Sequence, residues 1–328
     1  MTITSAHGGG GRLMGDLIRD IFQKRFSNEI LDRMEDSAVL DIPCPKIAFT
    51  TDSFVVTPLF FPGGDIGRLA VCGTVNDLLM RGAVPGYLSA GFILEEGLEM
   101  DTLDMIACSM RAAADEAGVL IVAGDTKVIQ GKGGLYINTS GIGTMETSQD
   151  ISVRNARAGD AVIISGYLGN HHACILSSRM GIRNTITSDC APLSDMVGAL
   201  LASGIPVHAL RDITRGGLGT VLHEIAAASG VRIEVTGELN LADVNVQGFS
   251  DILGLDPLYM GNEGKLVAFL PHSEAERALN IIRSSRYGEH AQIIGIVADG
   301  SPCAAIRTRA GGTRLIEPLA GEGLPRIC

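Results

Sequence analysis

Asp52, Asp77, Asp125 and Asp212 are the residues whose settings point most directly to chemistry. Each lies in a short polar island beside an apolar run: Thr51-Asp52-Ser53, Asn76-Asp77, Gly124-Asp125-Thr126-Lys127 and Asp212-Ile213-Thr214-Arg215-Gly216-Gly217. A single aspartate can equally cap a helix or hold a turn. Three carboxylates in the first half of the chain, with a fourth near a Gly-Gly turn, suggest hard oxygen ligands for Mg2+ bridging phosphates. The chain contains neither GxxxxGK[ST] nor GxGxxG, so a nucleotide site here is neither a P-loop nor a dinucleotide crevice. His7-Gly8-Gly9-Gly10-Gly11-Arg12 reads either as a loose N-terminus or as a flap whose bare NH groups close over phosphate oxygens.

The other chemical signal is Cys328, in Gly323-Leu324-Pro325-Arg326-Ile327-Cys328. Pro325 disfavours helix for itself and for its predecessor, so an extended, movable strap is expected. A thiolate there could be loaded with a group, carried into a pocket and presented to another protein. The other six cysteines (44, 72, 108, 174, 190 and 303) form no CxxC pair. That spacing fits neither a disulfide framework nor a zinc cluster. Adjacent His171 and His172 do not project to one point on regular structure, so no metal site with Cys174 is expected.

These groups need a scaffold, and the pattern of the chain predicts an α/β protein of two domains. With 328 residues, 46% of them apolar, the chain can bury a large core. A net charge of -11 argues against a nucleic-acid or anionic membrane surface, and no apolar run reaches the length of a spanning helix. Residues 1–11 lack the basic and apolar regions of a secretory signal, so a cytoplasmic protein is expected. Strands are predicted at 46–50, 88–94, 119–123 and 135–142, and again at 161–165, 207–210, 231–235, 266–270 and 291–297. Helices are predicted from 13 to 22 and over 66–81, 101–117, 218–229 and 273–284. On this reading Asp52 and Asp125 stand at or just past strand ends, where ligands often bind in α/β proteins. Residues 58–64, Pro-Leu-Phe-Phe-Pro-Gly-Gly, have an apolar centre and are expected at or beside a dimer interface. The charged stretch 154–160 marks the domain boundary.

The ordered motifs resemble a known family. They are Thr51-Asp52-Ser53, Phe60-Phe61-Pro62-Gly63-Gly64, Cys72-Gly73-Thr74-Val75-Asn76-Asp77, Gly124-Asp125-Thr126-Lys127, Asp212 to Gly217, Asn262-Glu263-Gly264-Lys265 and Pro325-Arg326-Ile327-Cys328. Together they are similar to the hydrogenase expression/formation protein HypE family over essentially the whole chain. The wider superfamily holds aminoimidazole ribonucleotide synthetase, selenophosphate synthetase and thiamine monophosphate kinase, which share the acidic motifs but not the final cysteine. The resemblance implies a two-domain α/β (α+β) fold, aminoimidazole ribonucleotide synthetase-like, with an extended C-terminal tail. It implies an ATP/Mg2+-binding and dimerisation domain over 1–153, a second α/β domain over 154–311, and a mobile tail over 312–328. It also implies an ATP-dependent carbamoyl dehydratase, a lyase of [NiFe]-hydrogenase maturation. Cys328 would receive a carbamoyl group from a carbamoyltransferase, HypF. ATP would drive thiocarbamate to thiocyanate, and the cyanide would pass to a HypC-HypD complex for the active-site iron. A homodimer is implied as well.

For that reaction the resemblance assigns Mg2+ to Asp52, Asp77, Asp125 and Asp212. It assigns ATP to the same aspartates with His7, Gly9, Gly10, Asn76, Thr126 and Lys127. Removing the amide protons needs a base, for which Lys127 and Glu263 are the candidates. Lys127 serves equally as a phosphate clamp, and Glu263 as an ion-pair partner of Lys265. Where the family usually has Gly-Asp-His-Gly, this chain has Gly169-Asn170-His171-His172, losing one carboxylate. The alternative activity is a kinase or synthetase of the same superfamily acting on a free small molecule.

Overall fold

The computed structural model describes residues 2–8, 12–34, 37–236, 240–308 and 311–317. Gly9, Gly10, Cys328 and the strap expected before it lie outside the described residues. The first half contains β1 (Ile47–Phe54), β2 (Phe60–Phe61), β3 (Gly64–Asp65), β4 (Val84–Glu95), β5 (Leu120–Ile129) and β6 (Leu135–Thr144). Its helices are α1 (Arg12–Leu17), α2 (Lys24–Phe26), α3 (Ile66–Leu79) and α4 (Met100–Ala117), with a wider helical turn over 18–23 joining the first two. Among the described residues the main sheet runs β1-β6-β4-β5, and only β4 and β5 pair in parallel.

Helix α3 starts where Asp65 accepts hydrogen bonds from the N–H groups of Gly67 and Arg68. A carboxylate at that end satisfies orphan donors and faces the positive pole of the helix. Almost every residue of α3 is buried, because the helix is apolar all round and lies between two layers. One layer is the inner face of the sheet; the other is the second half of the chain.

That half contains β7 (Asp160–Ile164), α5 (Asn170–Met180), α6 (Ser194–Ala202), β8 (Ala209–Asp212), α7 (Gly217–Ser229) and β9 (Arg232–Thr236). It continues with α8 (Val244–Leu253), β10 (Leu266–Pro271), α9 (Ala275–Ser284), β11 (Gln292–Ala298), β12 (Cys303–Arg307) and β13 (Thr313–Leu315). Its sheet runs β13-β12-β9-β11-β7-β10-β8 among the described residues. The interior strand β7 is buried on both faces, and the two-residue period divides it between two cores. Ala161 and Ile163 join the core shared with α5, α6, α9 and the first half, whereas Val162 and Ile164 pack with α7.

Several expectations change. Residues 170–180, 194–202 and 244–253 are helices that the apolar pattern did not reveal. The expected mobile tail began at 312, yet β13 pairs with β12 and Ile316 is buried. The Ile316 N–H donates to Ala304, and the Tyr259 hydroxyl donates to the Glu317 carbonyl. Within residues 58–64, where a dimer contact is expected, Phe60 is exposed while Phe61 and the Pro62 carbonyl meet the other domain of the same chain. The Pro62 carbonyl accepts from the Ser188 N–H at 2.8 Å, and the Phe61 ring meets His171 edge-on at 5.4 Å.

Candidate active site

A cleft of about 740 Å³ opens between the two halves, lined by Asp52 of β1, Asp77 of α3, Asp212 of β8 and Glu263. Thr50, Arg81, Arg211 and Arg215 complete its polar wall. Asp52 lies inside β1, not past its end. It pairs with Thr139, which pairs with Ala90, so it points to the same side of the sheet as α3. The Thr50 hydroxyl donates to Asp77 at 3.0 Å. Asp212 is buried, with Leu266 as its strand partner.

The cleft is an unfavourable place for so many negative charges. Burial raises the Asp77 carboxyl, and the Asp52 charge adds to this against the Thr50 hydrogen bond. Burial pushes Asp212 up to about 6, helped by Asp77. Glu263 is raised well above the usual carboxylate range by burial and then by Asp189, Asp212 and Asp52. Mutually repelling, partly desolvated oxygens fit a divalent cation that neutralises them. Among the described residues no three His, Cys, Asp or Glu side chains are gathered tightly enough to hold a metal ion by themselves. Mg2+ needs no such cage, because it is commonly held by one or two carboxylates together with substrate phosphates.

Asp125 is not in this cleft. The expected strand over 119–123 continues to Ile129, because β5 keeps its parallel pairing with β4 through the whole Gly-Asp-Thr-Lys motif. Strand alternation then divides the motif. Asp125 pairs with Gly91, which pairs with Asn138, on the face opposite to Asp52. Thr126 turns inward and is buried, while Lys127 returns to the open face and reaches Asp125 at 3.0 Å. The Lys127 hydrogen bond holds the Asp125 carboxyl below its usual range. Lys127 and Glu263, the two candidate bases, are thus in different places within one copy of the chain.

Thr126 and Asp125 border a smaller cavity of about 190 Å³, roofed by Phe22, Phe26 and Ile30 and floored by Phe92 and Ile121. His7 approaches the same strand. It is buried in a short turn, its Nδ1 accepting from the Thr4 N–H at 3.1 Å, and Gly8 packs on Val128 of β5.

Asn76, expected to touch nucleotide, is 2% exposed and bonded within the protein. Its Nδ2 donates to the Ala191 carbonyl at 3.0 Å and to the Glu263 carbonyl at 3.4 Å, and its Oδ1 accepts from the Leu193 N–H at 2.9 Å. The Lys265 charge acts on half-buried Asp189. Asp189 accepts from the Glu263 N–H at 3.1 Å. Sequence reasoning passed over Asp189 because Ser188-Asp189-Cys190 falls between predicted elements. His171 and His172 are buried, and desolvation pushes them down to about 3 and about 4. His171 Nδ1 pairs with the Ser188 hydroxyl at 2.8 Å, and Asn170 donates to Asp243.

Two domains with an acidic cleft between them, and α3 buried at their junction, are the architecture of an AIR synthase related protein. Residues 34–145 match that family's N-terminal domain and residues 157–306 its C-terminal domain. Carbamoyl dehydratase HypE of Azotobacter vinelandii is 46% identical over 332 residues, spanning 100% of this chain and 97% of the relative. A crystal structure of hydrogenase maturation protein HypE in complex with ATP matches with a TM-score of 0.96 and 46% identity, over 100% of both chains. HypE in a crystal structure of the HypE-HypF complex matches at 0.81 and 45% identity, over 92% of this chain and 99% of that one. The chain belongs to the carbamoyl dehydratase HypE family of hydrogenase maturation proteins.

Proposed function

We propose that the cleft converts a carbamoyl group carried on Cys328 into a cyano group at the expense of ATP. The observation that carries this reading is the gathering of Asp52, Asp77, Asp212 and Glu263 around one interdomain cleft. The overall change is S-CO-NH2 + ATP → S-CN + ADP + phosphate + H+. An amide oxygen leaves poorly, so it first attacks the terminal phosphorus of ATP and loses one N–H proton. The second N–H proton then leaves as the C–O bond breaks, releasing phosphate and the nitrile.

Glu263 is the base in this scheme. Burial beside other carboxylates raises the Glu263 carboxyl, which makes its carboxylate a stronger base than an exposed one. Lys127, paired with Asp125, serves as a phosphate clamp. Asp52, Asp77 and Asp212 would hold Mg2+, which would neutralise the charge of the phosphates. The cavity beneath Thr126 suits a purine, and His7 with Gly9 and Gly10 would close over the nucleotide. A homodimer would bring Asp125 of a second copy to the cleft.

The domain division we infer is 1–153 for nucleotide binding and dimerisation and 154–311 for covering the nucleotide. The last eleven residues, 318–328, can span at most about 36 Å at ~3.3 Å per residue from the anchored Glu317. HypF is the carbamoyl donor, a role supported by the HypE-HypF complex of the relative. The HypC-HypD complex is the cyanide acceptor.

Intact mass tests this reading. After incubation with HypF, carbamoyl phosphate and ATP, the chain should gain about 43 Da and then lose about 18 Da, by the atoms of the two steps. Cys328→Ala should keep ATP binding and show neither change. If it still gains and loses those masses, another cysteine is the acceptor. Undiminished ATP turnover in Cys328→Ala would favour a kinase or synthetase acting on a free molecule.

A further inference from the structure

We propose that Asn76 is a positioning residue for carbamoyl dehydration, its buried amide fixing the Glu263 turn against helix α3 and hence the Glu263 carboxyl relative to Asp77. This rests on the reading of Glu263 as the proton acceptor.

The two groups that must cooperate belong to different halves of the chain. Asp77 is on α3, and Glu263 is in the turn before β10. Asn76 is the immediate neighbour of Asp77, and its side chain points away from the cleft into the seam. There it meets two segments at once. One Nδ2 group serves the carbonyls of Ala191 and Glu263, and Oδ1 takes the N–H of Leu193. The Glu263 turn is held again from its far side, where its N–H donates to Asp189 and its carbonyl accepts from the Ala191 N–H. The 189–193 segment and the Glu263 turn therefore form one unit, and Asn76 fastens that unit to α3.

The chemistry of the position selects an amide. It requires a donor to carbonyl oxygens and an acceptor for an N–H from one planar group, in a site with 2% exposure. Aspartate offers no donor, and leucine would leave three buried backbone groups without this partner. A second contact from α3 reaches the same 189–193 segment, and a further one holds the seam elsewhere. Arg68, two turns earlier on α3, donates to the Cys190 carbonyl at 2.9 Å and to Glu116 at 2.9 Å. Pro62 accepts from the Ser188 N–H. Removing Asn76 should thus loosen the Glu263 turn and leave the two domains together. A displacement of about 1 Å in a positioned catalytic group can slow a reaction on the order of 100-fold.

The test uses full-length chain loaded on Cys328 by HypF, with dehydration followed in a single turnover by mass. For Asn76→Ala we expect ATP affinity within two-fold of the unaltered chain and a rate constant lowered 10- to 100-fold. A merely structural defect would shrink the amplitude, through fewer folded molecules, and leave the rate constant of the folded fraction unchanged. Asn76→Ser, which retains one small donor and acceptor, should recover part of the loss and provides a second reading if the alanine variant folds poorly. Rate constants within two-fold of the unaltered chain for both Asn76 variants would overturn the proposal. Glu263→Gln is measured alongside. If it turns over normally, the base assignment fails and the proposal falls with it. If it is inactive while the Asn76 variants are normal, only the positioning role fails.

Discussion

Asp52 and Asp125 should act on the same phosphates from different copies of the chain. Within one copy they occupy strands three apart in the order β1-β6-β4-β5, and their side chains leave opposite faces. At roughly 4.8 Å per strand the lateral separation alone is about 14 Å. Two oxygens on one Mg2+ lie only about 3 to 4 Å apart, since each Mg–O bond is about 2.1 Å. One copy therefore cannot place both carboxylates on a shared cation. Asp52→Asn and Asp125→Asn should each lower turnover by about 100-fold or more, losing ~3 kcal/mol of charge stabilisation. Coexpressed with different affinity tags, the two variants should restore activity. A mixed dimer has one site with both aspartates and one with neither. Random assembly makes half the dimers mixed, so recovery should approach about a quarter of the unaltered activity in the unfractionated pool and about half in purified mixed dimers. The assay is ATP-dependent mass loss from the carbamoylated protein, measured on dimers purified through both tags. Purified mixed dimers no more active than either variant alone would refute the shared site. Near-normal activity in either single variant would remove its carboxylate from the reaction.

Two further outcomes concern stability. His171 and His172 are held at about 3 and about 4, below the usual histidine value of 6.5, so their stabilising effect is complete above pH 6.5 and is lost as pH falls toward those values. At pH 5 each should cost about 2 kcal/mol relative to pH 8. Urea midpoints should fall accordingly, and His171→Gln should remove about half of that slope; an unchanged slope would contradict the burial argument. Gly264→Ala would put a methyl carbon 2.0 Å from the Asp189 carbonyl oxygen and 2.9 Å from the Ala191 nitrogen. Both obstacles are backbone, so the variant should lose ~3 kcal/mol or more in denaturant unfolding. A loss below 1 kcal/mol would mean that the Glu263 turn moves freely.

The helices over 66–79 and 100–117 were legible because the first is apolar over a long run and the second ends at Gly118 in a left-handed conformation. The strand β7 was legible as four consecutive apolar residues, Ala161 to Ile164, after the turn at Gly159 and Asp160. Helix α5 was hidden by its composition, Asn170-His171-His172-Ala173-Cys174, whose polar rings are buried against the other domain. No local pattern marks a histidine that packs edge-on against Phe61. Asn76 shows the same limit from the functional side. Its type and its place beside Asp77 suggested a ligand contact, yet its partners are backbone groups more than one hundred residues away.

Register decided the rest. Asp52 and Asp125 looked equivalent in sequence, each polar and each beside an apolar strand. Pairing put Asp52 opposite Thr139 and Asp125 opposite Gly91, the partner of Asn138; a shift of one residue on a strand exchanges its faces. The face that carries Asp125 also carries Ile47, Phe49, Val84, Ile93 and Ile129, all exposed. An apolar surface of that extent on a sheet is costly to leave in water, and a second copy presenting the same face would cover it. The alternation that separates the two carboxylates within one chain thus also supplies the surface on which a homodimer would bring them together. Such a site would need assembly before it could neutralise a triphosphate, and turnover should then depend on protein concentration wherever the dimer dissociates.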